Sequence, residues 1–262
     1  MNGPAPGRVA LVTGAARGIG AATVRALAAA GWSVVAVDRA ADDPRLPYPM
    51  GTRAELAALS SARVRTVVAD AASESDLRRA VAVAEEEFGG LDAALAAAGV
   101  IAGGVPLWEM PADQLDAVLD VDLRAVVALA RTAVPALLRR PEPRSGRFVA
   151  VASAAATRGL PMLAAYCAAK AGVTGLVRAL AVELGPTGVT ANAVSPGSTD
   201  TPILAESARL YGLGAGADFA RQQPSGRLLD PAEVAAALVW LAGPASSGVT
   251  GAVLPVDGGL AL

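Results

Sequence analysis

The chain has 262 residues, 53% of them apolar, and a formal net charge of −2, enough apolar matter for one large α/β domain and no electrostatic reason to expect nucleic acid or an anionic membrane as a partner. It contains no histidine and one cysteine, Cys167, which excludes Ser-His-Asp and Cys-His catalysis, His-ligated or Cys-cluster metal sites and an intrachain disulfide. Proton chemistry must then fall to carboxylates, Tyr, Lys, Ser or water.

Residues 8–13 form a short apolar run that stops at a glycine, as a buried parallel strand does. A helix is predicted from about Gly18 to Ala30, with Gly31 stopping it, and a second strand over 33–38. Residues 39–52, rich in Pro and Asp, then depart from the economy of the pattern. They read either as a tolerated surface insertion or as a flap over whatever binds beside Asp38. Thr52 and Glu55 form a capping box for a short helix, which completes an insertion over 39–62. A third strand spans 63–70, a helix 73–88 with Ser73 as N-cap and Gly89 at its end, and a fourth strand 91–98.

Pro111 opens a long helical stretch to about Arg139, with Pro135 kinking it. A fifth strand is predicted over 147–152, an Ala-rich helix over 161–184 and a sixth strand over 190–194. Residues 203–224 read as a loop. Asp230, Pro231 and Glu233 combine N-cap, N1 proline and N3 carboxylate, starting a helix that ends near Gly243. A last strand spans 253–256. Strands alternating with helices predict an α/β fold, a Rossmann-type doubly wound parallel β-sheet in a single domain over 1–262. No apolar run approaches the roughly 18–20 residues of a membrane span. The first eight residues lack the basic-then-apolar pattern of a signal peptide, so a cytoplasmic protein is expected.

The first strand runs straight into Thr13-Gly14-Ala15-Ala16-Arg17-Gly18-Ile19-Gly20 and then a helix. Glycines there permit a tight turn and close approach of backbone to a pyrophosphate, and the helix N-terminus supplies N–H donors and partial positive charge. Asp38, ending the next strand, is placed to accept hydrogen bonds from the adenosine ribose and to repel a 2′-phosphate. Arg39 beside it keeps NADP open, but NAD is favoured as cofactor.

The three residues between Gly14 and Gly18 resemble the short-chain dehydrogenase/reductase family, and the resemblance continues along the chain. Asp70, followed by Ala71, looks like that family's adenine-contacting acid. Ala98-Gly99 matches the end of its Asn-Asn-Ala-Gly motif, with Ala96 and Ala97 in place of both asparagines. Pro196-Gly197, with Thr199 and Thr201 after it, matches the loop that holds the nicotinamide carboxamide and pyrophosphate. Val256-Asp257-Gly258-Gly259 matches the C-terminal signature.

Tyr166 and Lys170 are four apart on a predicted helix and share a face. Ser153 ends the fifth strand thirteen residues before Tyr166, as in the family. Hydride transfer at a carbinol carbon needs a partner for the proton. A phenol with pKa near 10 is a poor base at neutral pH unless a nearby ammonium stabilises the phenolate, and a serine hydroxyl can orient the substrate oxygen. Of 22 basic residues only Lys170 is a lysine, and it falls here. The family completes a tetrad with an asparagine that acts by positioning backbone and water toward the lysine. Here Asp122 stands at that place, and a shifted pH dependence is expected.

The insertion, the run Leu46-Pro-Tyr-Pro-Met-Gly-Thr52, and the segments Ser195 to Pro202 and Leu210 to Leu213 resemble the mycofactocin-associated and carveol-dehydrogenase-like branch. That resemblance implies an insertion closed over NAD, a cofactor not exchanged between turnovers, and a second redox carrier such as mycofactocin. It also implies a homo-oligomer, tetramer or dimer. The 203–224 loop should cover a small, largely apolar alcohol or ketone substrate. Two rival readings stay open: an ordinary ketoreductase of polyketide or terpenoid metabolism with freely exchanging cofactor, which would lose it on gel filtration, and a dinucleotide-sensing regulator on a weakened enzyme scaffold, which a turnover assay separates. No feature speaks for a structural subunit.

Overall fold

A computed structural model describes residues 7–214 and 216–262. The first six residues of the N-terminal stretch, and Ala215 within the 203–224 segment, lie outside the described residues. Strands β1 (Val9–Thr13), β2 (Ser33–Asp38), β3 (Val64–Val68), β4 (Ala93–Ala96), β5 (Arg147–Val151), β6 (Thr190–Pro196) and β7 (Val253–Val256) form one parallel sheet in the order β3-β2-β1-β4-β5-β6-β7. Its helices are α1 (Gly18–Ala29), α2 (Arg53–Ala57), α3 (Glu74–Phe88), α4 (Ala112–Leu119), α5 (Ala125–Leu138), α6 (Ala164–Leu184), α7 (Pro202–Leu210) and α8 (Pro231–Ala242).

Because strand side chains alternate, one strand feeds two cores. Val9 and Leu11 of β1 join a cluster with Leu77 of α3, Leu129 of α5 and Val177 of α6, while Ala10 and Val12 join another with Val24 of α1 and Leu238 of α8. The doubly wound sheet is therefore as expected. So are the caps: Thr52 with Glu55, Ser73 accepting from Asp76 N–H, left-handed Gly89, and Asp230 with Glu233.

Two expectations are corrected. The stretch opened by Pro111 is not one regular helix, and Pro135, expected to kink it, sits inside α5. The break is a π-helical turn, Asp120–Arg124, between α4 and α5. Such a turn carries an extra residue and re-aims side chains: Asp122 is wholly buried, while Asp120 reaches outward to Arg45. The 203–224 segment is not all loop either. Thr201 accepts from Leu204 N–H and Pro202 takes the first helical position, so α7 begins there.

One helix, α6 with its extension to Thr187, is long and apolar enough by length and composition to cross a membrane, which the sequence reading did not anticipate. It packs on β6 and buries Val173, Val177, Ala181 and Leu184 against the sheet. Its N-terminal half carries Tyr166 and Lys170 to the ends of β4 and β5.

Candidate active site

The C-terminal ends of β1, β4, β5 and β6 open into one cavity of about 660 Å³. Every residue expected to contact the dinucleotide, from Gly14 to Thr201, lines it, together with Ser153, Tyr166 and Lys170. Asp122 does not: it lies behind Lys170, out of reach of the cavity.

At the β1–α1 turn, Gly14 has φ +67°, and a Cβ there would lie 2.5 Å from Ala98 Cα. Gly18 has φ +56° on the cavity wall. Only glycine takes these conformations without strain. No side chain caps the N-terminus of α1, and its first turn holds no acid, so its orphan N–H groups face the cavity without a competing anion. These features fit a dinucleotide pyrophosphate. Asp38 accepts from Ala16 N–H at 3.0 Å and Ala40 N–H at 2.8 Å, which fixes its carboxylate on the cavity wall. Arg39 is turned to an ion pair with buried Asp43, 3.3 Å away.

The 39–52 segment is a strap forming part of the cavity wall through Arg39, Ala41, Met50 and Gly51. Its Leu46 and Tyr48 are buried against Val100, Ile101, Ala117 and Val118. The Ile101 N–H donates to the Tyr48 hydroxyl at 2.8 Å. Arg45 bridges Asp43 at 2.9 Å and Asp120 of the π-turn at 2.7 Å, and Arg17 donates to the Pro49 carbonyl at 2.9 Å. Apart from the Arg45–Asp43 pair, none of these partners was legible in the sequence, because each joins distant segments. Gln223 was missed too: it accepts from Ser198 N–H at 2.8 Å and braces the 196–199 loop, with no local signal.

At the cavity centre Lys170 Nζ lies 5.6 Å from the Tyr166 ring centroid, 2.9 Å from Asp122 Oδ1, and donates to the Val151 carbonyl at 3.1 Å. Val100 N–H donates to Asp122 Oδ2 at 3.3 Å. The carboxylate thus forms a direct ion pair with the lysine. Burial works against the charge of Lys170, but Asp122 and Tyr166 outweigh it and hold the ammonium above its usual range. Burial pushes the Asp122 carboxyl up against the pull of Lys170. Lys170 pulls the Tyr166 phenol down, as expected, but the net shift is upward. Burial pushes the phenol up, Lys170 and Ser153 oppose this, and Asp122 adds to the rise. Part of the ammonium's field is spent on its own carboxylate.

A family model described as enoyl-(acyl carrier protein) reductase matches residues 14–261. A short-chain reductase, NovJ, of Streptomyces niveus is 40% identical over 96% of this chain and 93% of its own length. The chain belongs to the short-chain dehydrogenase/reductase family. It is an oxidoreductase of the hydroxyl/ketone kind. A cis-4-hydroxycyclohexanecarboxylate dehydrogenase of Sinomonas cyclohexanicum is 42% identical over 96% of both chains. Among solved structures, carveol dehydrogenase from Mycobacterium avium, in complex with NAD, superposes with a TM-score of 0.91 at 32% identity, covering 99% of each chain.

Proposed function

We propose that this enzyme is an NAD-linked dehydrogenase that interconverts a secondary alcohol and a ketone, with Tyr166 as the proton-transfer residue. The observation that carries the reading is the meeting of Ser153, Tyr166 and Lys170 on the wall of the same cavity that the β1–α1 glycine turn opens into. Bound in its oxidised form, the dinucleotide would accept the hydride and add a positive charge to the site. The uncapped N-terminus of α1 would hold its pyrophosphate, and Asp38 its ribose hydroxyls. Tyr166 takes the alcohol proton during oxidation and returns it during reduction. Ser153 orients the substrate oxygen, and Lys170, held by Asp122 and the Val151 carbonyl, supplies the positive field.

NAD is favoured over NADP because Asp38 sits where a 2′-phosphate would need room, and because Arg39, the cation nearest to it in sequence, is already paired with Asp43. The strap's buried Tyr48 and its Arg45 bridges support a cofactor held through many turnovers, as in the mycofactocin-associated branch, with electrons leaving to a second redox carrier. The same reading takes the chain as one cytoplasmic domain, with α7 and the segment after it covering a small apolar substrate. Assembly into a homo-oligomer is supported by the exposed Val182 and Trp240.

Asp38→Ala tests the cofactor assignment. It should weaken NAD at least about tenfold and NADP less, because a ribose partner and a source of repulsion are lost together. Titration of both dinucleotides reads the ratio. Unchanged discrimination would remove Asp38 from the ribose site.

A further inference from the structure

We propose that the alcohol carries an anionic group, a carboxylate on an apolar ring or chain, and that Arg158 binds it. The inference rests on the alcohol/ketone reading of the cavity and names its substrate class. Four cations line the cavity among the described residues. Lys170 is committed to Asp122, Arg39 to Asp43, and Arg17 to the Pro49 carbonyl at the glycine-turn end. Arg158 differs. Among the described residues no carboxylate lies within ion-pair distance of it, and its side chain donates to one neutral group, the Leu260 carbonyl.

Its backbone lies on the Ser153 side of the cavity. Arg158 follows Ser153 in the connection from β5 to α6, and its carbonyl accepts from the Cys167 thiol at 3.7 Å, one residue beyond Tyr166. The Tyr211 hydroxyl donates to the Pro161 carbonyl at 2.8 Å, which pins the same connection to the end of α7. The same cavity is lined by the apolar side chains of Leu160, Leu163, Ile203, Leu213 and Phe219. Such a wall takes in hydrocarbon and offers a polar substituent nothing. A guanidinium has five donors in a planar fork, and most of those of Arg158 are uncommitted, so a carboxylate can be taken in two-point fashion. The guanidinium is solvent-exposed, so the gain is modest, about tenfold in affinity. A neutral alcohol forfeits that gain and pays no penalty.

The test compares 4-hydroxycyclohexanecarboxylate, which has a ring, a secondary alcohol and a carboxylate, with its methyl ester. With NAD, the wild-type protein should favour the acid over the ester in kcat/KM by about tenfold or more. Arg158→Gln should collapse that preference, and Arg158→Lys should restore part of it. Calorimetry on the NAD-loaded protein repeats the comparison without turnover: tighter binding of the acid, abolished by Arg158→Gln, supports the inference even if neither compound is oxidised. Equal binding of acid and ester by the wild type, or a preference that survives Arg158→Gln, overturns it. Oxidation of both compounds at equal rates also overturns it, while leaving the alcohol/ketone reading intact.

Discussion

Asp122 and Lys170 form a buried ion pair at 2.9 Å, and the phenol that the lysine would activate sits next to it. An amide at position 122 keeps the shape and could still accept from Val100 N–H and Lys170, but it carries no charge. Asp122→Asn should therefore free the ammonium's field to stabilise the Tyr166 phenolate. Oxidation needs the unprotonated phenol, so its rate rises with pH through the Tyr166 pKa. Lowering that pKa moves the rise to lower pH, by about one unit. A pH profile of kcat/KM for alcohol oxidation reads the shift, and an unmoved or alkaline-shifted profile would contradict the pairing. At this scale the sequence was readable where helix geometry fixed the answer: Tyr166 and Lys170 share a face because they are four apart. The contact of Asp122 with Lys170 was not, because a π-turn and a packed loop decide where that carboxylate points. The sign of the phenol shift was misread for the same reason, since burial cannot be seen in spacing.

The strap is anchored where the buried pair is anchored. Tyr48 takes the N–H of Ile101, whose neighbour Val100 donates to Asp122, and Arg45 holds Asp120, two residues before Asp122 in the π-turn. Tyr48→Phe leaves the buried Ile101 N–H without its acceptor, at a cost of about 1–3 kcal/mol in the closed state. The NADH dissociation rate, followed by loss of its fluorescence on displacement, should rise about tenfold or more, with a smaller change in association. Rapid exchange in the unaltered protein would reduce the strap to surface decoration. Composition marked this segment, through its prolines at 44, 47 and 49 and its aspartates, and so did the resemblance of its Leu46–Thr52 run. What it holds could not be read there, because the partners come from three other elements. Helix ends were legible at the caps Thr52, Ser73 and Asp230, but not at Thr201, whose cap starts α7. The π-turn was not, since nothing at 120–124 breaks a helical pattern.

Across the whole molecule, the order β3-β2-β1-β4-β5-β6-β7 puts the reversal of winding between β1 and β4, and the cavity opens at the strand ends around it. This much was legible, because alternating apolar runs and helices leave a parallel sheet few ways to close. The sheet brings the glycine turn, at residues 14–20, together with the Tyr166 face of α6 in one cavity. In the proposed reading Tyr166 moves the proton and, although it also lies against the dinucleotide, contributes little to holding it. Tyr166→Phe tests it most directly, with NAD affinity and alcohol turnover measured on the same preparation. The account predicts NAD affinity within about threefold of the unaltered protein and turnover reduced at least about a hundredfold. Turnover near the original rate in Tyr166→Phe would contradict it.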